Sequence, residues 1–590
     1  MGVRTELVHQ QVAGSIPGVG NFVSFKRLDL NVEECCLMNG SDDRTAIVWQ
    51  DEGRENLHKM SLAELRSQCS SVAFALNAAG FQKGDAVAIS MPMTVQSVVI
   101  YLGVVLAGCV VVSIPDSLPA HQIATRLKIS DAKATFTQDV ILRGAKVLPL
   151  YSRVAEACCP KVIVVPANGV YTSVTLRDCD LAYGDFLQKV GDGVPAKERC
   201  DVYQAASLPV GAFCNILFSS GTTGEPKAIP WTHATPIKAA ADAWAHQDVR
   251  SGDVISWPTN LGWMMGPWLI YAALLNKATI ALFNGSPLHS SFGRFVQETG
   301  VTMLGLIPSI VKGWKNTGCI DQVDWSKIRC FSSSGEPSNA SDYLWLMAKG
   351  HYAPVIEYCG GTEIGGAYIT GSLVQSQALA SFSTPAMGCR FVILMADQYA
   401  HQDENQPAIG ECALFPRILG SSSCLLNAKH YDVYFKDMPL VNGMILRRHG
   451  DEIESTAGGY YRAHGRVDDT MNLGGIKVSS VEIERTCNAS HTDVVETAAI
   501  GISPADGGPE KLVIVAVLRD GFVADVEDLK LAFTAALRTK MSPFFKVNDV
   551  VLAPSLPRTP SNKVMRRIIR DQYSMRRLET ASRGLLNIGS

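Results

Sequence analysis

A stretch of thirty residues without a charge, between Asp85 and Asp116, constrains the fold of this chain more than any other feature. It is long enough to cross a bilayer, but Pro92 interrupts it and its pattern divides into three parts. Ala86–Pro92 reads as a buried strand, Thr94–Gly108 as an apolar helix and Val110–Pro115 as a second buried strand. Such a unit is typical of a parallel sheet covered on both faces. The stretch therefore predicts the core of an α/β protein and no membrane span.

The rest of the chain extends this pattern over a length that exceeds one core. A chain of 590 residues predicts two or more domains. From a capping box at Ser61–Glu64 to about residue 340, strand-like runs alternate with helical ones, which favours βα-rich subdomains with mainly parallel sheet. Glycine-punctuated, strand-rich sequence at about 385–450 predicts a small β subdomain. We expect a large N-terminal domain over 1–467 and a small α/β domain over 468–590, with residues 1–45 largely irregular.

Charge and cysteine content exclude several classes of protein. Lys and Arg total 53 against 56 Asp and Glu, so the net charge of −3 predicts no broad field for nucleic acid or a membrane surface. The 16 cysteines include no CxxC pair, which argues against zinc sites and a disulfide scaffold and fits thiols in a reducing compartment. The N-terminus lacks a signal-peptide pattern and Asn587–Ser590 is not an SKL-type address, so a cytoplasmic location is expected.

The loop Leu217–Ile229, LFSSGTTGEPKAI, carries the strongest chemical signal. It offers backbone N–H groups, hydroxyls and one ammonium to an anion, and a polyphosphate suits these donors. A Walker A loop is excluded, because that motif needs Gly at Pro226 and a hydroxyl after Lys227. On composition alone, a flexible surface loop is an equal alternative.

This loop resembles the phosphate loop of the AMP-forming acyl-CoA synthetase, luciferase and peptide-synthetase adenylation superfamily. Four further segments match that superfamily in the same order along the chain, which makes coincidence a poor explanation. They are Ser332–Pro337 (SSSGEP), Tyr358–Glu363 (YCGGTE), His449–Asp469 continuing into MNLGGIKVSSVEIE, and Leu556–Arg567 (LPRTPSNKVMRR).

The resemblance implies a site in which a carboxylate attacks the α-phosphate of ATP. Both reactants are anions, so positioning and charge neutralisation dominate the chemistry. Lys563 resembles the lysine that neutralises charge in this step, Glu363 the Mg²⁺ ligand, and Thr222 a catalytic residue of the loop; Asp451 and Arg466 are expected at the ribose. The implied ATP- and AMP-binding residues are Ser219, Ser220, Gly221, Thr222, Thr223, Gly224, Lys227, Gly335, Glu336, Pro337, Tyr358, Cys359, Gly360, Gly361, Thr362, Asp451, Arg466 and Lys477.

The same resemblance implies a second step with coenzyme A. Asp468 resembles the hinge about which a mobile C-terminal domain swings after the adenylate forms. That swing would bring Gly474 and Gly475 over the site, where a side chain would block a pantetheine arm. Lys477 is expected near the AMP phosphate, and Arg538 is a candidate contact for a phosphate of coenzyme A. ATP, Mg²⁺ and coenzyme A are thus the expected small molecules, beside the acid itself.

The stretch Trp257–Trp268 and the KVMRR ending resemble the acetyl-CoA synthetase branch of the superfamily. In the acetate enzymes a tryptophan floors the acyl pocket, and alignment places Gly360 at that position. The missing indole predicts room for an acid larger than acetate, each buried CH₂ contributing ~0.8 kcal/mol. Met264 and Met265 are predicted as adaptable walls, or as plain core. The remaining candidates for this pocket are Trp263 and Ser334.

Over residues 45–573 the chain is similar to plant acyl-activating enzymes, including hexanoyl-CoA synthetase types. It departs from the superfamily at Cys359, where relatives stack an aromatic ring on adenine, at Asn562, where Gly is usual, and at Pro267, where acetate enzymes carry His. It also begins later than enzymes of this branch. The resemblance allows a peroxisomal location and leaves the oligomeric state open.

The predicted function is an AMP-forming carboxylate–CoA ligase for a short- or medium-chain fatty acid or a related acid. Two alternatives remain at this point. One is an adenylate-forming ligase that passes the acyl group to another acceptor. The other is a non-catalytic nucleotide-binding protein, suggested by the late start of the chain.

Overall fold

The computed structural model of this chain describes residues 29–143, 146–188, 203–219, 225–336, 338–395, 400–401, 407–466, 470–504, 508–519, 521–558, 564–566 and 568–576. Helices and sheets alternate through most of these ranges, as the sequence predicted. The described helices are Val32–Leu37, Leu62–Ala78, Val95–Leu106, Ala120–Ser130, Tyr151–Glu156, Tyr183–Gln188, Thr235–Ala245, Met265–Leu274, Ser290–Thr299, Pro308–Thr317, Ala340–Lys349, His430–Tyr434, Ser480–Asn488 and Val526–Lys540.

The largest sheet has nine strands and is parallel through its centre, with antiparallel strands at both edges. Parallel strands end at a common edge of a sheet, which is where α/β proteins place their sites. In order across the sheet, the strands are Thr384–Pro385, Gly366–Thr370, Val355–Gly361, Cys330–Ser333, Met303–Leu306, Val254–Ser256, Thr279–Asn284, Thr45–Asp51 and His58–Ser61.

A second sheet has seven strands, all parallel except one edge strand. That edge strand, Lys227–Thr232, pairs with Phe213–Ser219 as a hairpin whose connection is the predicted phosphate loop. In order, the strands are Lys227–Thr232, Phe213–Ser219, Val110–Ser113, Ala86–Ser90, Ala134–Gln138, Val162–Val165 and Leu181–Ala182.

One apolar core joins the two large sheets through the helices between them. It contains side chains of Leu62–Ala78, Val95–Leu106 and Met265–Leu274 together with both sheets. Separate clusters cover the outer faces of the nine-stranded and the seven-stranded sheet with further helices. All residues of the helix Val95–Leu106 except Gln96 are buried, which explains why its segment lacks charges. The predicted strand–helix–strand unit and the capping box at Ser61 and Glu64 are confirmed.

The small β subdomain is an antiparallel five-stranded sheet that reaches Arg466, beyond the predicted limit near residue 450. The strand Arg447–Ser455 continues into Tyr461–Arg466 through a turn at Gly458–Gly459, so the predicted limit falls inside a hairpin. In order, its strands are Ala400–His401, Phe391–Leu394, Ala408–Leu414, Arg447–Ser455 and Tyr461–Arg466.

The smaller C-terminal domain has its own apolar core. Its strands Val494–Ile502, Lys511–Leu518 and Val547–Leu552 form one sheet, preceded by the hairpin of Thr470–Leu473 and Ile476–Ser479. The division at 467–468 falls within residues 467–469, which lie outside the described ranges, and stays a prediction. Two further hairpins pair Val140–Arg143 with Lys146–Pro149 and Leu440–Val441 with Met444–Ile445.

Two smaller expectations also meet the structure. The segment before residue 45 contains the helix Val32–Leu37, capped by the side chain of Asn31, so the prediction of irregular backbone is wrong for these six residues. They are too few for a clear period of 3.6. Residues 1–28 lie outside the described ranges, and the prediction for them stays a prediction. The fifteen cysteines in the described ranges are all free. No described helix is both long and apolar enough to cross a membrane.

A fully buried ion pair between Lys238 and Asp242 ties the central helices to the nine-stranded sheet. The two residues lie one turn apart in Thr235–Ala245. Asp242 also accepts hydrogen bonds from the Tyr358 hydroxyl at 2.6 Å and from the backbone N–H of Ala367 at 3.0 Å. Lys238 donates in addition to the Met387 carbonyl at 3.2 Å. Every charge in this cluster is compensated, as burial requires.

We expect Asp242→Asn to destabilise the protein by about 3–5 kcal/mol, because it leaves the Lys238 ammonium buried without a counterion. The free energy of unfolding in urea measures this. Glu527→Gln, which removes an exposed pair with Lys530 at 3.1 Å, is the matched control and should change little. Equal effects of the two substitutions would contradict the prediction.

Glu33 is a second buried charge-bearing group, and it has no cationic partner among the described residues. Its Oε1 accepts a 2.6 Å hydrogen bond from Tyr271, and its Oε2 has no partner. Burial raises the pKa of Glu33 to about 8, although the Tyr271 hydrogen bond opposes the shift. The carboxyl is therefore largely neutral at pH 7 in the folded chain.

Glu33→Gln should make the protein less sensitive to alkaline pH. Since the folded pKa lies above the unfolded value of 4.5, the folded state binds the proton more tightly, and this stabilisation is lost as pH rises from about 4.5 to about 8. The variant keeps a neutral side chain, so its stability relative to wild type should grow between pH 5 and pH 9 by up to roughly 4 kcal/mol. Urea unfolding at both pH values tests this, with exposed Glu34→Gln as control. Parallel pH curves for Glu33→Gln and wild type would refute it.

Candidate active site

The root of the predicted phosphate loop is a hairpin end. Ser219 and Lys227 are the last paired residues of the two strands, and residues 220–224 between them lie outside the described ranges. Ser220, Gly221, Thr222, Thr223 and Gly224 therefore remain predictions. The hydroxyl of Ser219 is buried and has no hydrogen-bond partner among the residues that the structure describes. The structure thus fixes where the loop begins and ends. The Ser219 hydroxyl at its start remains available to donate a hydrogen bond.

Glu363 lies in a short 3₁₀ turn, Thr362–Ile364, that follows the strand Val355–Gly361. Two hydrogen bonds hold this turn against its neighbours. The indole of Trp231 donates to the Thr362 carbonyl at 2.7 Å, and the Ser422 N–H donates to the Glu363 carbonyl at 2.8 Å. The side chain of Glu363 is therefore presented from a fixed backbone.

The Glu363 carboxylate faces the root of the loop. Lys227 Nζ lies 3.5 Å from its Oε1, and the Tyr434 hydroxyl donates to the same oxygen at 3.0 Å. Burial alone would raise the pKa of Glu363, but the charges of Lys227 and Arg447 outweigh it and hold that pKa well below its usual range. The group is an ionised, hard oxygen ligand at neutral pH.

This carboxylate fits Mg²⁺ as a protein ligand that acts together with phosphate oxygens and waters. Within the described ranges, no group of three or more His, Cys, Asp or Glu side chains is arranged to hold a metal. Mg²⁺ in nucleotide sites is commonly bound by one or two carboxylates together with phosphate oxygens and waters. The donors at Glu363 suit that mode of binding. They do not suit a site in which most of the metal ligands come from the protein.

Asp451 lies on the strand Arg447–Ser455 and is almost completely buried. Its Oδ2 accepts a hydrogen bond from the Tyr368 hydroxyl at 3.1 Å and lies 3.1 Å from His449 Nε2. Cys359 Sγ is 3.7 Å from the same oxygen. The backbone of Arg466 pairs with that of Asp451 in the strand register, so the two residues predicted at the ribose occupy facing positions of one hairpin.

The turn at Gly335–Glu336, predicted to bind the nucleotide, is anchored by Glu336. Its carboxylate accepts hydrogen bonds from the Ser309 N–H at 2.8 Å and from the Ser309 hydroxyl at 3.0 Å. Burial raises the pKa of Glu336. These contacts make Glu336 a support for the turn. Pro337 lies outside the described residues.

The hairpin of the C-terminal domain already lies on this turn. Asn472 donates a hydrogen bond from Nδ2 to the Gly335 carbonyl, and a Cβ at residue 475 would lie 3.7 Å from Glu336 Oε1. Gly474 and Gly475 both have positive φ, 62° and 80°, which the tight turn requires and glycine readily adopts. The charge of Lys477 acts on both Glu363 and Cys359. The structure therefore brings the predicted second-step residues to the predicted nucleotide site.

The position of Tyr358 contradicts the prediction that its side chain contacts the nucleotide. Its side chain is 1% exposed, its hydroxyl donates to Asp242, and the Trp268 indole donates to that hydroxyl at 2.9 Å. The ring therefore belongs to the core behind the site. Cys359, the next residue along the strand, is half-buried beside Asp451 and faces the site instead.

The geometric reason given for a wider acyl pocket at Gly360 is also wrong. A Cβ built on Gly360 would lie 1.9 Å from the carbonyl oxygen of Gly366 on the neighbouring strand. The register of the two strands shifts between Cys359 and Gly360, which brings the backbones together here. Residue 360 therefore points at backbone and not at an open cavity.

The other acyl-pocket candidates lie at the start of one helix and at the end of one strand. Trp263, Met264 and Met265 are half-buried where Met265–Leu274 begins, and both methionines pack against the main core. Ser334 is half-buried after Cys330–Ser333, at the same edge of the sheet as Gly361. Arg538 is exposed in the last turn of Val526–Lys540 and donates to the Phe545 carbonyl. Lys563 and Asp468 lie outside the described residues.

Sequence reasoning missed several residues of the site. Tyr434, Arg447, His449 and Tyr368 surround Glu363 and Asp451, yet none was assigned a role. The alternation of Arg447, Arg448 and His449 in a strand was a usable signal, because it places the first and third on one face. The observed burial follows that alternation.

One sizeable cavity of about 470 Å³ contains none of the predicted site residues. It lies where strands of both large sheets end, between Trp49, Gln138 and Tyr183. The nucleotide site is thus defined by its motif residues and their contacts.

Comparison with known proteins agrees with this site. Residues 37–412 match the family described as AMP-binding enzyme, and residues 482–563 match the AMP-binding enzyme C-terminal domain. Hexanoyl-CoA synthase of Cannabis sativa is 56% identical over 554 residues, covering 92% of this chain and 76% of that protein. Probable acyl-activating enzyme 17, peroxisomal, of Arabidopsis thaliana is 55% identical over 557 residues with the same coverage.

A solved structure supports the fold. Acetoacetyl-CoA synthetase from Streptomyces lividans superposes with a TM-score of 0.67 at 24% identity, covering 91% of this chain and 81% of that one. The two family matches together cover most of the chain, and the sequence relatives match it over nearly its whole length. This chain therefore belongs to the family of AMP-binding enzymes, as an AMP-forming acyl-CoA synthetase.

Proposed function

We propose that this chain activates a carboxylic acid larger than acetate, in the short to medium range, and transfers it to coenzyme A at the site around Glu363 and Asp451. In the first step the acid attacks the α-phosphate of ATP and pyrophosphate leaves; in the second, the thiol of coenzyme A attacks the acyl-adenylate and AMP leaves. The observation that carries the proposal is the convergence of the loop root, Glu363, Asp451 and the Gly474–Gly475 hairpin.

The residues divide the first step between them. Lys227 and the loop 219–224 hold the phosphates, while Asp451 and Arg466 hold the ribose. Lys563 neutralises charge at the reacting phosphate. Glu363 would hold Mg²⁺, which when bound supplies further neutralisation of the phosphate charge. Since both reactants are anions, these cationic contacts account for most of the expected catalysis.

The docked hairpin supports the second step. With Gly474 and Gly475 against Gly335–Glu336, the turn carries no side chains that would obstruct a thin pantetheine arm. We propose a domain division at 467–468 with Asp468 as hinge, so that Lys563 and the hairpin take turns at the site. Arg538, exposed on the C-terminal domain, is the proposed contact for a phosphate of coenzyme A.

The preference for a larger acid rests on the relatives and on the apolar residues near the site. The 56% identical relative is named a hexanoyl-CoA synthase. Met264 and Met265 offer flexible apolar surface that can adapt to an alkyl chain. Gly360 contributes no open volume, so the proposal no longer depends on it.

A panel of acids tests the substrate class. We expect kcat/KM to rise about fourfold per added CH₂ from acetate to hexanoate, because each buried CH₂ contributes ~0.8 kcal/mol. CoA-dependent release of AMP is the measurement. Acetate as the best substrate would contradict the proposal. Acid-dependent ATP–pyrophosphate exchange without CoA-dependent AMP release would indicate another acceptor, and absence of exchange for all acids from C2 to C12 a non-catalytic protein.

Lys563→Ala should separate the two steps. Loss of the ammonium removes charge neutralisation from adenylation, so we expect ATP–pyrophosphate exchange to fall at least a hundredfold. Thioester formation from supplied acyl-AMP should change less than threefold, because the lysine is withdrawn in that step. Lys540→Ala, at an exposed residue of the same domain, is the control. An equal loss in both steps would overturn the role given to Lys563.

A further inference from the structure

Arg447 is a buried arginine, and part of its guanidinium has no acceptor among the described residues. It opens the strand Arg447–Ser455 and is only 3% exposed. Its Nε and Nη2 atoms, which form one edge of the guanidinium, are both buried and have no hydrogen-bond partner among the described residues. A charged group that has lost its water without gaining an acceptor is costly, so such an edge calls for an oxyanion.

The same edge is filled where another arginine of this chain is buried. Arg566 donates from Nε to Glu484 Oε1 at 2.8 Å and from Nη2 to Glu484 Oε2 at 2.7 Å. Both side chains of that pair are about 10% exposed. Arg447 is more deeply buried, and its fork geometry is equally suited to a carboxylate or a phosphate.

The position of Arg447 indicates which oxyanion it meets. Two cations approach the ring of Tyr434, with Arg447 Cζ at 4.1 Å and Lys227 Nζ at 5.3 Å from its centre. The Tyr434 hydroxyl donates to Glu363 at 3.0 Å. Arg447 and Lys227 therefore belong to one wall, at the root of the loop Leu217–Ile229.

Among the described residues of this wall, positive charges outnumber negative ones. Lys227 and Arg447 contribute two positive charges, and both act on one carboxylate, Glu363. His430, close to Arg447, stays neutral at pH 7 because burial lowers its pKa to about 4. The unpartnered Ser219 hydroxyl adds a neutral donor at the loop root. An anion with several oxygens matches this set of donors.

The strand itself separates Arg447 from the nucleoside. Asp451, the proposed ribose contact, lies four residues further along, which corresponds to about 13 Å in an extended strand. That separation places Arg447 away from the proposed ribose contact. It suits the far end of a triphosphate whose sugar lies at Asp451.

We propose that the Nε–Nη2 edge of Arg447 binds oxygens of the β- or γ-phosphate of ATP and holds the pyrophosphate as it leaves. This inference rests on the proposed function, since it takes the triphosphate to lie beside Lys227 and Glu363. Arg447 would then be a phosphate-binding residue that the sequence motifs did not reveal, acting beside Lys227.

Arg447→Met and Arg447→Lys test the proposal, with Arg448→Met as matched control. Arg448 is the next residue, faces outward and pairs with Glu411 at 3.3 Å. Isothermal titration calorimetry with ATP, AMP and inorganic pyrophosphate is the measurement. We expect Arg447→Met to weaken ATP and pyrophosphate binding at least tenfold and AMP binding less than twofold. Arg447→Lys should lie between, because it keeps the charge and loses the fork.

Thermal unfolding without ligand distinguishes binding from a structural role. Replacing an unpartnered buried charge by Met should leave Tm unchanged or raise it, while the increase of Tm caused by pyrophosphate should shrink. Unchanged pyrophosphate affinity in Arg447→Met, an equal loss of AMP binding, or a higher KM for the acid with normal pyrophosphate affinity would each overturn the inference. If Arg447→Met does not fold, an unaltered pyrophosphate affinity in Arg447→Lys overturns it equally. Failure of the wild-type protein to bind ATP would instead reject the proposed function.

Discussion

The buried pair of Lys238 and Asp242 fixes the part of the molecule on which the site depends. Asp242 accepts hydrogen bonds from the Tyr358 hydroxyl and the Ala367 N–H, so one carboxylate holds two adjacent antiparallel strands together. The strand Val355–Gly361 leads directly into the turn that presents Glu363. A helix between the two large sheets thus sets the position of a carboxylate at their edge. Buried ion pairs are often a poor source of net stability, and here the pair serves to define geometry.

Around Glu363 the molecule is organised to attract anions. Lys227, Arg447 and Lys477 all lower the pKa of that carboxyl, each from a different element of the fold. Three cations near one carboxylate repel one another in a partly buried space, and bound phosphates would relieve that repulsion. The cations that would neutralise ATP are therefore already in place in the folded protein, as in other preorganised sites. Their mutual repulsion lowers the stability of the ligand-free fold.

The sequence predicted the layers of this fold because its signals were local. The charge-free segment 86–115 is compatible only with a parallel sheet that is covered on both faces. The motif segments lie in the same order as in the family. What escaped prediction depends on contacts between distant residues. The burial of Tyr358 follows from Asp242, more than a hundred residues away, and the crowding at Gly360 follows from a register shift against Gly366. Neither contact can be recognised from the residues next to Tyr358 or Gly360 in the sequence.

The contact between Gly360 and Gly366 also limits which residues these two positions can accept. A large side chain at residue 360 must first displace a backbone carbonyl, because its Cβ would approach Gly366 O to 1.9 Å. Gly366 itself is confined, since a Cβ there would lie 2.5 Å from Asp242 Oδ2. A tryptophan at residue 360 would therefore need another strand register as well. A large side chain here is expected to disturb the pairing of Val355–Gly361 with Gly366–Thr370 before it could reshape any pocket.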